Sequence, residues 1–464
     1  MASAYSEAAY MAAAALFVGG IMLLRSPATA RRGNLLAALG MLVALVFTVL
    51  ATTLHHTGLL AGAFVAGALA GTLVARRVRM TAMPQLVALF NGMGGGAAAL
   101  VALDEALRLL HAAPTLPPET AVPGMLTLII GSISFAGSLV AFAKLQELVT
   151  GRPIVYPGQS VVNAVLLAVA VAAGIAVVAG VRAVAPADLV VGLTLLAATL
   201  GVLFVLPVGG ADMPVIISLL NSLTGLAAAA TGFVLANDVL IVAGALVGAS
   251  GTILTMLMSR AMNRSIASVL FGAFGRVAAG AGQAAQGTVR PTTPDEVAVL
   301  LAYAHEVVVV PGYGLAVARA QQEVKDLCDA LVARGVDVRF GIHPVAGRMP
   351  GHMNVLLAEA SVPYDRLYEM DQINPEFART DVVLVIGAND VTNPAARTDP
   401  TSPIYGMPIL DVDRAKTVVV LKRSMAPGFA GIDNPLFVED NTRMLFGDAR
   451  ASVASLLREL REVA

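Results

Sequence analysis

The first 260 or so residues consist of long apolar runs separated by short polar or basic stretches. A helix that spans a membrane needs about 20 consecutive, mainly apolar residues. Nine runs meet this requirement, so the pattern predicts an all-α transmembrane bundle of about nine helices over residues 1–260. The approximate bounds are 4–24, 35–54, 58–75, 84–110, 124–146, 160–181, 187–208, 213–235 and 238–259.

After residue 290 the pattern changes to short apolar strands that alternate with amphipathic helices. Strands are predicted at 307–310, 337–341, 381–386 and 417–421, and helices at 315–334, 353–360, 374–379 and 448–463. An earlier helix starts at "TPDEVAVLL", with Thr293 as its cap, Pro294 at its first position and Glu296 three residues after the cap. This alternation predicts that an α/β Rossmann-like doubly wound parallel-sheet domain over 291–464 follows the bundle. Residues 261–290 are rich in Gly, Ala and Gln and are interpreted as a linker.

Composition supports a membrane protein, because 57% of the residues are hydrophobic and only 13% are charged. Ordinary soluble domains carry about 25% charged residues. The net charge of −1 offers no strong field for nucleic acid. The single cysteine, Cys328, excludes an intramolecular disulfide, and no metal motif is present.

Basic residues alternate between the two sides of the predicted bundle, which favours a multi-pass protein with its N-terminus outside and residues after 260 in the cytoplasm. The expected location is the inner (plasma) membrane of the cell. The cytoplasmic side would carry Arg25, Arg31, Arg32, Arg76, Arg77, Arg79, Lys144, Arg152, Arg260 and Arg264, against Arg182 and Arg108 on the other side.

Polar residues inside spans are costly and are therefore candidates for function. Ser218, Asn221 and Thr224 recur at steps of three in the eighth span, which predicts that they share a helical face. For Asn221 an interhelical hydrogen bond is an equally open interpretation. Asn91 lies in the fourth span, within "LFNGMGGG".

Asp212 is predicted at the cytoplasmic mouth of the bundle, where it could instead cap a helix beside Pro214. No ionisable residue falls near the middle of a predicted span. A proton path would therefore use polar side chains and water, or a titrating group supplied by a partner.

Two GxxxG pairs predict close helix packing in the bundle. They are Gly67 with Gly71, and Gly244 with Gly248.

The stretch "VVVVPGYGLAVARAQ" places Gly312 and Gly314 between a strand and a helix. Such a turn can cradle a phosphate, although a plain strand–helix turn remains open because the third small residue, Ala318, comes one position late. Doubly wound sheets bind ligands at the carboxyl ends of their strands. The residues predicted at those ends are Gly312, Gly314, Gly347, Arg348, the "GAND" run at 387–390, Lys422 and Arg423.

Cations at these strand ends favour NADP over NAD. An NAD site places an acid after the second strand for the ribose hydroxyls, whereas this chain has Arg339 and Arg348 there. Lys422 and Arg423 follow another strand, although "LKRS" could also be a solvated strand end.

Several long stretches, in order, resemble the beta subunit of proton-translocating NAD(P)+ transhydrogenase over nearly the whole chain. They are "GGADMP", "AMNRS", "AGRMPG", "MPGHMNVLLAEA", "VLVIGAND", "DPTSPIYGMPILDV" and "KRSMAPGFAGIDNPLF". The resemblance implies hydride transfer between NADH and NADP+ coupled to proton translocation. It implies NADP(H) on this chain, NAD(H) on a partner alpha-type subunit without which the enzyme is inactive, and a dimer of the whole assembly.

The resemblance also implies roles for individual residues. Asp390 would lie near the nicotinamide as the catalytic residue, Lys422 and Arg423 would bind the 2′-phosphate, and residues 428–431 would close over the cofactor. The full set of implied cofactor-binding residues is Gly312, Tyr313, Gly314, Val317, Ala346, Gly347, Arg348, Met349, Pro350, Gly387, Ala388, Asn389, Asp390, Lys422, Arg423, Gly428, Phe429, Ala430 and Gly431. The implied proton pathway comprises Asn91, Asp212, Asn221 and Gly251.

Two positions depart from the family pattern. Many members have a histidine where this chain has Asn91, so a further membrane subunit is expected to supply the titrating residue. The family often has Tyr where Phe429 stands. A transporter or channel gated by a nucleotide-sensing domain remains an alternative function, and a purely structural anchor would leave the strand-end glycines and cations unexplained.

Overall fold

The computed structural model describes residues 2–51, 56–78, 82–113, 115–150, 154–181, 185–209, 212–262, 287–348, 351–402, 404–428 and 431–463. Most of the predicted linker, at 263–286, lies outside these residues, as do Arg79, Arg152, Arg182 and Arg264. The chain forms two compact units. One comprises Met1–Pro207 with Ile216–Thr255, and the other comprises Val208–Val215 with Met256–Ala464.

The described part of the chain contains nine helices long and apolar enough to cross a membrane, which confirms the predicted spans. They are α1 (Ala2–Leu24), α2 (Pro27–Ala51), α3 (Thr57–Arg77), α4 (Met83–Ala112), α5 (Pro118–Leu145), α6 (Gln159–Val178), α7 (Pro186–Val205), α8 (Met213–Val234) and α9 (Asp238–Ala261). Helices α2 and α5 begin before the apolar runs, each at a proline, because proline at a first helical position costs no hydrogen bond.

Glycines bring particular helix pairs into close contact. A Cβ at Gly131 on α5 would lie 2.8 Å from the carbonyl oxygen of Gly95 on α4, and a Cβ at Gly244 on α9 would lie 2.3 Å from the backbone nitrogen of Ala229 on α8. The prediction of close packing is confirmed for Gly244 and Gly248.

The same prediction is wrong for Gly67 and Gly71 within this chain. A Cβ at either position on α3 would meet nothing within 4 Å, and no described residue of α3 is buried. The spacing creates a small-residue face, but no described residue of this chain packs against it.

The second unit contains a six-stranded, fully parallel sheet in the order β3-β2-β1-β4-β5-β6. Its strands are β1 (Glu306–Pro311), β2 (Asp337–Ile342), β3 (Leu367–Glu369), β4 (Val382–Ile386), β5 (Thr417–Lys422) and β6 (Thr442–Phe446). Its helices are α10 (Pro294–Ala302), α11 (Tyr313–Ala318), α12 (Gln321–Ala333), α13 (His352–Glu359), α14 (Met370–Ile373), α15 (Ala395–Thr398) and α16 (Ala449–Glu462). This strand order confirms the doubly wound prediction, with a switch point between β1 and β4.

Hydrophobic cores cover both faces of this sheet. Val307 and Val309 face one core together with Leu327, whereas Val308 and Val310 face the other. Burial on both faces explains why the strands are continuous apolar runs instead of alternating ones.

Strands β3 and β6 were missed by the sequence patterns. The first has three residues, and the second carries the exposed Arg443 between buried positions. A strand this short contains too few residues to show a period.

The prediction of one helix over 315–334 is wrong. The chain forms α11 and then α12, because Arg319 adopts a left-handed conformation (φ 52°) that interrupts the helix. Thr293 occupies the cap position before Pro294, but its side chain makes no capping hydrogen bond. Instead, the hydroxyl of Thr292 donates to Glu296 Oε2 over 2.7 Å.

Candidate functional site at the sheet switch point

The loops after β1 and β4 meet at the switch point. The backbone N–H of Gly312 donates to the Ile386 oxygen, and that of Gly314 donates to the Gly387 oxygen, both over 2.9 Å. A Cβ at Gly312 would lie 2.3 Å from the Gly387 oxygen and 2.4 Å from Ala388 Cα. Both glycines therefore allow the two loops to pack against each other. Their N–H groups donate hydrogen bonds to carbonyl oxygens of this chain.

The loop after β2 places an arginine against the loop after β1. The guanidinium carbon of Arg348 lies 4.3 Å from the centre of the Tyr313 ring. The backbone N–H of Arg348 donates to Nδ1 of His352 over 3.0 Å. Val317 is exposed on α11 and Ala346 is buried.

Two predicted residues of this loop, Met349 and Pro350, lie outside the described residues.

Lys422 at the end of β5 is half-buried and faces its own loop. Its ammonium donates to the Ala426 oxygen over 2.6 Å and lies 4.7 Å from the centre of the Phe437 ring. Burial lowers the pKa of Lys422, and the charges of Asp390 and Asp433 oppose this. Arg423 is exposed, so it is the more accessible cation of the predicted pair.

The segment after β5 lies directly on the loop after β4. A Cβ at Gly428 would lie 2.6 Å from Asp390 Oδ1 and 2.2 Å from Asn389 Nδ2. The amide of Asn434 donates to the backbone oxygen of Asn389 over 3.1 Å. Residues 389–390 are therefore held from two sides.

Within the predicted closing segment, Gly431 is exposed with a φ of 72°, whereas Phe429 and Ala430 lie outside the described residues.

Arg339 does not join these residues, which corrects its interpretation as a cation for a 2′-phosphate. It lies near the amino end of β2, where its guanidinium bonds to Glu376 Oε2 over 3.0 Å and Asp337 Oδ2 over 2.6 Å, and pairs with Glu306. Side chains near the start of a parallel strand lie at the edge opposite the ligand crevice.

The first unit contains a buried polar cluster between α4, α5 and α8. The Asn91 amide donates to Ser138 Oγ over 2.9 Å and to Ser134 Oγ over 3.4 Å. Ser134 donates to the Leu220 oxygen over 2.9 Å and lies 2.5 Å from Thr224 Oγ1. Asn91 Oδ1 is buried and has no hydrogen-bond partner among the described residues.

A second cluster joins α8 to α9. Ser218 Oγ donates to the Gly251 oxygen over 3.3 Å and accepts from Thr255 over 3.1 Å. Ser222 donates to the Gly248 oxygen over 2.9 Å. A Cβ at Gly251 would lie 2.9 Å from Ser222 Cα, so this predicted residue lies where α8 and α9 touch.

The prediction that Ser218, Asn221 and Thr224 share one face is wrong. Ser218 faces α9, whereas Thr224 faces α4 and α5. Each step of three residues falls 60° short of a full turn, so two steps separate the ends by about 120°. Asn221 is half-buried, and Asp212 directly precedes α8.

Ser134, Ser138, Asn434 and His352 were not singled out from the sequence. Their partners belong to other helices or loops, so no local pattern marks them. Among the described residues no group of three His, Cys, Asp or Glu side chains could hold a metal ion.

Comparison with known proteins identifies the family. The family model described as "NAD(P) transhydrogenase beta subunit" matches residues 6–459. Two sequences of NAD(P) transhydrogenase subunit beta from Rhodospirillum rubrum are each 46% identical over 467 residues, which cover 99% of this chain and 100% of the relative. A parallel-sheet domain and nine apolar helices among the described residues agree with this match, and the chain belongs to the NAD(P) transhydrogenase beta subunit family.

Proposed function

We propose that residues 291–464 bind NADP(H) at the carboxyl edge of the sheet, and that residues 1–260 conduct protons across the membrane. Hydride would pass between this cofactor and NAD(H) on an alpha-type partner subunit. Family membership and the switch point between β1 and β4 support the proposal.

The described residues fit a phosphorylated dinucleotide. Glycines make the switch-point loops compact, so a ligand can approach the backbone of the crevice. Arg348 and Arg423 follow β2 and β5, where they can pair with phosphate groups. The bound cofactor supplies the hydride chemistry, while the chain binds it, orients it and excludes water.

Each part of the site would then have its own task. Tyr313 holds the Arg348 guanidinium by a cation–π contact, which orients the arginine at this edge of the sheet for pairing with a phosphate. The exposed Arg423 binds the 2′-phosphate. Lys422 instead holds the chain just before the closing segment, through the Ala426 oxygen.

Asp390 would lie beside the nicotinamide, where its charge favours one redox state. Gly428 rests on Asp390, so closure of residues 428–431 and the redox state of the cofactor would depend on each other.

Proton conduction would use hydroxyl and amide groups. The cluster of Asn91, Ser134 and Thr224 offers a continuous set of such groups between three helices. Asn91 cannot titrate, and its free carbonyl oxygen can accept from a water molecule. A titrating side chain from a further membrane subunit would complete the path together with Asp212, Asn221 and Gly251.

In the cell, the protein would lie in the inner membrane with residues 291–464 in the cytoplasm, within a dimer of the whole assembly.

Arg423→Gln tests the cofactor assignment in the full chain with its partner subunits. NADPH fluorescence should show an affinity about tenfold or more weaker at low salt, because a charge-assisted contact is lost. Weak NADH binding should not change, since NADH lacks the 2′-phosphate. Arg443→Gln, at an exposed arginine on β6, is the matched control. Equal NADPH affinity in all three proteins would refute this role for Arg423, and no NADPH binding by the unmodified protein would refute the function.

A further inference from the structure

We propose that His352 is a positioning residue of the cofactor site, and that it must be neutral to hold Arg348 and Tyr313 in their binding arrangement. This inference rests on the proposed NADP(H) site and assigns a role to a side chain outside it.

His352 is the first residue of α13 and is 1% exposed. Its Nδ1 accepts the backbone N–H of Arg348 over 3.0 Å. A neutral imidazole that accepts on Nδ1 carries its proton on Nε2, whereas an imidazolium has donors on both nitrogens and accepts nothing. The contact therefore exists only in the neutral form.

The loop before α13 is shaped around this ring. Gly347 has a φ of 108°, a backbone conformation that residues with a side chain rarely adopt. A Cβ at Gly347 would lie 2.6 Å from His352 Cβ and 2.7 Å from Nδ1. The glycine lets the backbone pass over the imidazole, which places the Arg348 N–H on Nδ1.

The ring also reaches the glycine loop after β1. Its centre lies 6.2 Å from that of the Tyr313 ring, in an edge-to-face arrangement. Tyr313 in turn lies under the Arg348 guanidinium. His352 thus contacts both members of the cation–π pair, one through the backbone and the other through its ring.

The surroundings oppose protonation. Burial lowers the pKa of His352 from the ordinary 6.5, and the positive charge of Arg348 lowers it further. Tyr313 meets the ring edge to face, and Arg348 bonds to it through its backbone N–H while its positive charge acts on the ring. Helix α12, which packs on α13, bonds to it through Gln321 and Glu359, at the other end of α13.

The sign of the pH effect follows from this depressed pKa. When the loop is released, the imidazole regains its ordinary pKa of 6.5 and takes up a proton below that pH. The held state does not take up this proton, so falling pH favours release and weakens cofactor binding. Above about pH 7.5 the effect is absent, because both states are neutral.

Nε2 of His352 is buried and has no hydrogen-bond partner among the described residues. The proposed role therefore needs only an acceptor at the Nδ1 position. The side-chain oxygen of asparagine can occupy that position without titrating, whereas leucine fills the space without offering an acceptor.

The test measures NADPH affinity by fluorescence in the full chain with its partner subunits, from pH 5.5 to 8.5, for wild type, His352→Asn and His352→Leu. His305→Asn, an exposed histidine at the amino end of β1, is the control. At pH 8 His352→Leu should bind about tenfold more weakly, because the part-buried N–H of Arg348 loses its acceptor. His352→Asn should bind within about threefold of wild type.

The pH dependence of NADPH affinity distinguishes a positioning role of the His352 imidazole from a role in packing alone. Wild type and His305→Asn should lose affinity below pH 6.5 more steeply than His352→Asn, which retains only the titration of the cofactor and of other groups. If His352→Asn is as weak as His352→Leu, or if its pH profile matches that of wild type, the inference is wrong. Wild type that binds no NADPH at any pH would instead overturn the proposed function.

Discussion

Gly312 and Gly387 lie so close that a side chain on Gly312 would overlap the backbone of the loop after β4. A Cβ at Gly312 would be 2.3 Å from the Gly387 oxygen, and Gly387 itself has a φ of 68°. Backbone atoms cannot swing aside as a flexible side chain can. The switch point therefore needs glycine for contact between two loops, whether or not a phosphate is bound.

Gly312→Ala should lower the free energy of unfolding of the C-terminal domain by about 1–3 kcal/mol, because it forces backbone atoms apart. The matched change Gly341→Ala on β2 would place a Cβ 3.3 Å from the tip of Ile373 and should cost less than about 1 kcal/mol. Urea-dependent labelling of Cys328, which is buried and is the single cysteine, reports this unfolding in the full chain. Equal losses in the free energy of unfolding for Gly312→Ala and Gly341→Ala would contradict the explanation that backbone overlap destabilises the Gly312 variant.

His343 is a second buried histidine that the fold keeps neutral. Its Nε2 bonds to the Pro408 oxygen over 2.8 Å and its Nδ1 accepts from Val345 N over 3.2 Å. Burial lowers the pKa of His343 from 6.5 to about 4, although the bond to Pro408 opposes this.

The C-terminal domain should therefore lose stability as the pH falls from 6.5 towards 4, because the unfolded state binds a proton that the folded state refuses. The loss attributable to His343 approaches about 3 kcal/mol at pH 4. His343→Gln keeps a donor for the Pro408 oxygen and should flatten this part of the profile. Labelling of Cys328 in urea, with a disulfide reagent active at acid pH, measures the free energy of unfolding at each pH. A variant whose profile is as steep as that of wild type would show that other groups cause the loss.

Helix pairs show why small-residue spacing is ambiguous by itself. Gly244 and Gly248 let α9 touch α8, whereas Gly67 and Gly71 on α3 meet no described atom within 4 Å. Both pairs have the same spacing and lie in equally apolar helices. The difference comes from what the fold places opposite each face.

Gly244→Ala should destabilise the detergent-solubilised chain by about 1–3 kcal/mol, because its Cβ would lie 2.3 Å from the Ala229 nitrogen. Gly67→Ala is the matched control and should change stability by less than about 0.5 kcal/mol. The temperature at which the monodisperse chromatographic peak is lost measures both. A larger effect at Gly67 than at Gly244 would contradict the described packing.

At the scale of the whole molecule, the described residues combine a parallel-sheet domain with nine apolar helices. A hydride acceptor and donor must come within roughly 3–3.5 Å of each other. The described chain offers one nucleotide-type crevice, and family membership as a beta subunit implies an alpha-type partner. The second dinucleotide is therefore expected on that partner.

The isolated chain should bind NADPH but should not reduce an NADP+ analogue with NADH. Addition of the NAD(H)-binding partner should restore transfer, and a proton gradient across the membrane should alter its rate. Absorbance of the reduced analogue in proteoliposomes measures this. Transfer by the isolated chain at the rate of the complex would show that both dinucleotides bind here.

Properties that depend on neighbouring residues could be predicted from the sequence. Runs of about 20 apolar residues predicted the nine spans found among the described residues. This works because each helix in a membrane must satisfy its own backbone hydrogen bonds, whatever its neighbours are. Buried valine runs between helices predicted the parallel sheet, and glycines after β1 and β4 predicted its ligand edge. The order of the motifs was sufficient to recognise the family.

Contacts between distant residues were decided only by the tertiary structure. Ser134 and Thr224 are 90 residues apart, and Asn389 and Asn434 are 45 apart. Arg339 and Arg348 follow one another on and after β2, yet one lies at the amino edge in ion pairs and the other over Tyr313 at the carboxyl edge. Hydropathy and spacing determine which element a residue joins. Which groups that residue meets depends on how the elements pack, because a hydrogen bond or an ion pair requires two groups within about 3–4 Å of each other.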